Sequence, residues 1–204
     1  DLRLGCILAD VVIKTENPDL SKYAAENLDT ISKILEGIEI STIPVISDTR
    51  KGYKALGKDP ARYRPSAEAL MRRVKSEKGL YQVNNVVDCL NLISIETGIS
   101  IGGYDTAKIE GAILLDKGKA EPYEAIGRGE LNIENLPVFH DQTGPFGSPT
   151  SDSVRTSITT STRQVLWIMF DFSGNANLNS ASFNAHKLLS SFAEVANYHY
   201  WIVE

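Results

Sequence analysis

Three short stretches of the 204-residue sequence carry side chains that could do chemistry. In "NNVVDCLN", Asn84, Asp88 and Asn91 stand at i, i+4 and i+7, which puts two carboxamides and a carboxylate on one face of a helix. In "GISIGGYD", Gly102 and Gly103 precede Tyr104 and Asp105. Lacking a Cβ, the two glycines let backbone amides approach a ligand closely. In "PTSDSVRT", Thr150, Ser151, Asp152, Ser153 and Arg155 supply hydroxyls, a carboxylate and a guanidinium. Such groups are donors and acceptors that a polar ligand could use. Each stretch also has a plainer reading: a solvated helix face, a tight turn, a cap with a surface ion pair.

The third stretch lies in an unusual run. Ten of the fifteen positions from Ser148 to Thr162 are Ser or Thr. Composition alone reads as a disordered linker. The flanks oppose that reading, because Phe146 precedes the run and the apolar "VLWIMFDF" (165–172) follows it, so the loop is anchored.

The bulk numbers bound the class. Hydrophobic content of 42% and charged content of 23% suit a globular protein, and the length suits one large domain or two small ones. No apolar run approaches the ~20 residues of a membrane helix, and no signal peptide is visible, although the chain begins at Asp1. The two cysteines, Cys6 and Cys89, sit among apolar residues and read as buried thiols, in keeping with a cytoplasmic protein. Three histidines without HxH or HExxH spacing argue against a zinc site, and no cofactor is expected. No GxGxxG, GxxxxGK[ST] or GxSxG occurs.

Net charge is −5, yet ten Lys or Arg face three acids between Arg50 and Lys78, leaving that segment at +7 and the remainder at −12. Such asymmetry fits either an anion-binding face or a basic surface with neighbouring acids folded against it.

The elements that must position these groups follow from periodicity. "LRLGCILADVVI" predicts an opening strand. Residues 19–36 have helical spacing with Gly37 as the stop, and "ISDTRKGYKALG" predicts a second helix capped by Ser47 or Asp48 and ended at Gly57. From Pro65, Ala67, Leu70, Met71 and Val74 form an apolar stripe, with Arg72 and Arg73 on the far side, open to solvent or phosphate. Residues 84–97 form a further helix ended by Gly98. Strands follow at "KIEGAILL", "EAIGRGELN", "NLPVFHD" and 165–172, then an amphipathic helix from Ser180 and a terminal edge strand "YHYWIV". Helices first and strands later predict an α+β fold, with a central mixed or antiparallel sheet flanked by helices. The expected organisation is one domain over 1–204, with a basic helical part (about 15–98) and a strand-rich part (about 99–175) closed by a C-terminal helix.

In order, "YQVNNVVDCLNLISIETGISIGGYD", "GAILL", "EAIGRGELNIENLPVFHD" and "GSPTSDSVRTSITTSTRQVL" resemble the B3/B4 editing domain of the phenylalanyl-tRNA synthetase beta subunit. With "ALGKDPARYRPSAEALMRRV" added, the resemblance is closer to freestanding bacterial proteins built from that domain, and it covers roughly residues 45–172. It implies ester hydrolysis of a mischarged aminoacyl-tRNA, in the cytoplasm, as translation quality control. On that view Asp152 and Thr150 are catalytic. Asn84, Asp88, Asn91, Gly102, Gly103, Asp105, Ser151, Ser153 and Arg155 bind the aminoacyl moiety, and Arg62, Arg64, Arg72 and Arg73 meet the tRNA backbone. The family's His-Ala pair before the aromatic-Asp pair is replaced here by Gly102-Gly103, which predicts a wider pocket. The family's later Glu falls at Pro149 or Thr150. Two rival readings stay open: a non-catalytic module binding RNA or an amino acid, and a hydrolase of small-molecule esters or amides.

Overall fold

The computed structural model describes residues 2–204. The chain opens with β1 (Arg3–Asp10), followed by α1 (Pro18–Ile34), α2 (Pro44–Leu56), α3 (Ser66–Lys75) and α4 (Asn85–Thr97). Then come β2 (Ser100–Asp105), β3 (Leu114–Lys117), β4 (Glu124–Ala125), β5 (Gly129–Glu130), β6 (Pro137–Asp141), β7 (Gly144–Gly147) and β8 (Gln164–Asp171). α5 (Leu178–Phe192) and the edge strand β9 (Ala196–Val203) complete the fold. The central sheet has the order β2-β8-β1-β9 and is antiparallel throughout. A second sheet runs β3-β6-β7, and β4-β5 is a small hairpin. This is an α+β fold with antiparallel sheets.

The central sheet is covered on both faces. Val165, Trp167 and Met169 of β8 join Ile7 and Ile101 against Val86, Cys89 and Ile93 of α4 and Ala185 and Leu189 of α5. The alternate residues Leu166, Ile168 and Phe170 join Leu4, Cys6 and Tyr104 against Phe139 and Phe146 of the second sheet. Two buried faces explain why residues 165–172 read as a continuous apolar run rather than an alternation.

The helix ends follow local chemistry, with one correction. Asn17 caps α1 by accepting from the Leu20 N–H, and Asn84 caps α4 by accepting from Val86 and Val87. Gly57 and Gly98 end α2 and α4 at φ 90° and 73°. α2, however, starts at Pro44 rather than at a Ser47 or Asp48 cap. A proline at the first helical position has no N–H to satisfy and a preset φ, so Ser47 and Asp48 fall inside the helix.

The basic segment is organised around one acid. The Glu68 side chain is 0% exposed and receives Arg50 at 2.9 Å, Arg72 at 2.9 Å and Arg64 at 3.6 Å. Arg72 also pairs with Glu39 at 2.7 Å. Arg73 donates to the Tyr81 hydroxyl and lies over its ring, and the buried Lys58 donates to the carbonyls of Asn132 and Glu134. Arg72 and Arg73 lie away from the apolar stripe of α3, as helical phase predicted, but both have protein partners. Their guanidinium groups tie α3 to neighbouring segments.

Removing the Glu68 charge leaves Arg50, Arg64 and Arg72 repelling one another at a site that is buried on the acid's side. Glu68→Gln should lower folding stability by about 3 kcal/mol. Urea unfolding should show a lower midpoint at unchanged slope, and an unchanged midpoint would show that the cluster does not join α2 to α3 energetically.

Candidate active site

The loop after β7 is built by its own hydroxyls. Ser148 Oγ accepts from the N–H groups of Thr150 and Ser151, each at 3.3 Å, and donates to the Ser151 carbonyl at 3.0 Å. Such a side-chain turn is what Ser offers a tight loop. The loop is then tied to three elements. Pro149 O accepts from Ser66 N at the start of α3 at 2.8 Å, and Asp152 O accepts from Ile126 N at 2.9 Å. Thr150 Oγ1 lies 2.9 Å from the hydroxyl of Tyr53 on α2. Tyr123 donates to the Ser151 carbonyl at 2.7 Å.

These ties hold the half-buried Asp152 against β2. Its Oδ2 accepts from the Gly103 N–H at 3.0 Å and its Oδ1 from the Tyr104 hydroxyl at 2.8 Å. Burial pushes the Asp152 carboxyl up to about 7, against the opposing pull of hydrogen bonds from Gly103, Tyr104 and the Ser148 backbone. Tyr104 is fully buried, and burial with the nearby Asp152 charge raises its phenol well above the ordinary range. Tyr53 and Tyr123 are raised by burial as well. All three phenols are thus neutral at pH 7, and Tyr104 donates to a carboxyl that exchanges its proton near that pH.

The structure brings Gly102, Gly103, Thr150, Ser151, Asp152 and Ser153 together, but several have other duties than predicted. Gly103 gives its amide to Asp152. A Cβ on Gly102 would fall on the Tyr104 hydroxyl, so the space expected to widen the pocket is filled by the phenol. Thr150 is buried with its hydroxyl on Tyr53, and Ser153 caps the short turn 154–156 by accepting from Arg155 N. Ser151 keeps the freest hydroxyl, with one long bond of 3.4 Å to Ile126 O. Asp105 is buried and accepts from Thr162 Oγ1 at 2.7 Å and from Ala107 N.

Arg155 and the α4 ridge are corrections. The Arg155 guanidinium binds Asp141 through two bonds of 3.0 and 2.9 Å and also donates to Lys108 O and Gly144 O. It clamps β6 to the loop instead of facing a ligand. Asn84 and Asp88 cap the start of α4, where Asp88 Oδ1 accepts from Val83 N at 3.0 Å. α4 covers the face of the central sheet opposite Tyr104. Asn84, Asp88 and Asn91 therefore do not share a wall with Asp152, because the sheet stands between them. Asp88 instead borders a cleft of about 220 Å³ with Leu20, Leu28 and Leu92. A larger cleft, about 390 Å³, lies at Gly52, Leu56, Leu115 and Phe172, away from Asp152.

Sequence reasoning missed the tyrosines that hold the loop. Tyr53 occupied an ordinary core position of a helix, and Tyr123 lay between a turn and a short strand. Tyr104 had one signal, its place directly after two glycines. Arg62 is exposed beside the Tyr63 ring, and Arg64 leans on Glu68.

One family model matches most of the chain. A family model for the B3/4 domain matches residues 48–193, which extends the match beyond 172 to the end of α5. A phenylalanine–tRNA ligase beta subunit from Clostridium tetani is 28% identical over 116 residues, covering 55% of this chain and 14% of that subunit. A solved N-terminal fragment of the phenylalanyl-tRNA synthetase beta subunit from Pyrococcus horikoshii is 17% identical, with a TM-score of 0.45, over 57% of this chain and 43% of the fragment. The chain thus spans well under two thirds of either relative. Among the described residues no helix is long and apolar enough to cross a membrane.

The raised carboxyl has a thermodynamic signature. An acid whose folded pKa, about 7, exceeds its unfolded value of about 3.9 takes up a proton on folding between the two. The stability due to Asp152 is then complete below about pH 4, falls as pH rises towards 7 and is flat above. Urea midpoints measured from pH 4 to 8 should show this fall in the wild type and lose it in Asp152→Asn.

Proposed function

The chain belongs to the B3/4 domain family, and from that premise we propose that it hydrolyses the ester of a mischarged aminoacyl-tRNA, with Asp152 as the general base. The observation that carries this reading is a half-buried carboxyl, shifted to about 7 and held on both oxygens by donors from one strand. A base of that pKa is matched to proton transfer at neutral pH. Each carboxylate oxygen has a further lone pair, so Asp152 can still accept from a water.

The step balances without a metal or cofactor. Water attacks the ester carbonyl carbon while its proton passes to Asp152. The tetrahedral intermediate collapses, the bond from the carbonyl carbon to the ribose oxygen breaks, and Asp152 returns the proton to that oxygen. The Ser151 hydroxyl, held only by its long bond to Ile126 O, can turn toward the developing oxyanion. Gly103 cannot serve there, since its N–H is committed to the base. Thr150 acts through the Tyr53 bond that orders the loop rather than as a reacting group. The tRNA backbone is met by the exposed Arg62, with Arg64, Arg72 and Arg73 adding a field that Glu68 and Glu39 partly offset.

A panel of mischarged tRNAs tests the reading. The wild type should release the amino acid from at least one member, and Asp152→Asn should reduce the rate about 100-fold. Tight binding with no release above background across the panel would overturn the hydrolase reading in favour of a binding module.

A further inference from the structure

The following rests on Asp152 as the reacting carboxyl. We infer that Tyr104 is the positioning residue of the site, and that glycine stands at 102 and 147 to admit its phenol. Residues 102 and 104 point to the same face of β2, and the Tyr104 ring lies back over Gly102. A Cβ at Gly102 or at Gly147 would fall on the Tyr104 hydroxyl. The ring is gripped edge-on by Phe146, with centroids 5.0 Å apart and planes at 89°, and by Phe139 at 6.3 Å and 80°. Two glycines and two aromatic rings from three strands thus leave the hydroxyl one place and one acceptor, Asp152 Oδ1 at 2.8 Å.

The fully buried phenol needs that acceptor, because an unpartnered buried hydroxyl is costly. The carboxyl needs the phenol in turn. With the Gly103 N–H on one oxygen and Tyr104 on the other, Asp152 cannot rotate, and its remaining lone pairs keep one direction. The other groups facing it are the Tyr123 phenol from the segment before β4 and Ser148 from its own loop. Arg155 lies nearby but is held on Asp141.

Tyr104→Phe keeps the ring and removes the donor. In ligand-free protein the Asp152 carboxyl, followed by its carbon NMR shift, should then titrate about one unit higher, since a hydrogen bond to the charged form is lost. Deacylation kcat should fall about tenfold at pH 7 with KM unchanged, and the acid limb of the rate profile should move with the carboxyl. In the wild type the Tyr104 ring carbon bearing the hydroxyl should shift with the same midpoint as Asp152, which needs no variant to fold. Gly102→Ala, which displaces the phenol, should raise the Asp152 midpoint as Tyr104→Phe does. An unchanged Asp152 midpoint in folded Tyr104→Phe, or no co-titration in the wild type, overturns the inference. A shifted midpoint in a protein with no deacylase activity leaves the positioning role standing and removes only the catalytic reading on which it was built.

Discussion

The site depends on one carboxyl held between a backbone amide and a phenol. Asp152 is in a loop, and loops are the mobile part of a fold. Here the loop is pinned by the Gly103 N–H, the Tyr104 hydroxyl and, through its neighbours, Tyr53, Tyr123 and the start of α3. The same burial that pins Asp152 raises its pKa to about 7. Position and proton affinity therefore have one cause. Loosening the loop would expose the carboxyl further and return it toward the ordinary range, so its fixed position and its raised pKa go together.

The rest of the architecture serves that contact. β2 is an edge strand of the central sheet, paired on one side with β8. β8 carries Trp167 and Met169 to the helices and Leu166, Ile168 and Phe170 to the second sheet, so it is buried on both faces. That packing makes β2 rigid enough for its amide and phenol to act as fixed donors. On the other side of the loop, Glu68 gathers Arg50, Arg64 and Arg72 and sets α3 against α2, where Tyr53 stands. Much of the basic segment is structural in this sense. Its charge is real, but several of its guanidinium groups have internal partners.

The helices and the long strands β1, β8 and β9 were legible before folding, whereas β2 and β7 were not read as strands and β3 lies at Leu114–Lys117, later than the stretch 108–115 expected for it. Gly57 and Gly98 stop their helices because each takes a left-handed conformation, and the apolar stripes of α3 and α5 follow helical phase. The family was legible too, because the motif stretches keep their order. Asp152 could be singled out as the lone acid in a hydroxyl-rich loop. The start of α2 was misread because Ser and Asp are common caps, while Pro44 supplied a stronger start.

The sequence by itself determined the helices, the α+β class, the family and the short list of polar groups from which a site could be built. Only the tertiary structure decided which of them meet. Helical phase put Asn84, Asp88 and Asn91 on one face but could not say which side of the central sheet that helix covers. Composition showed Arg155 in the loop but not that Asp141, on a strand before it, takes its guanidinium. Gly102 and Gly103 read as open space, because an absent side chain leaves room in a sequence. In the folded chain the room is shared with every neighbour, and Tyr104, two residues along the same strand face, fills it and reaches Asp152.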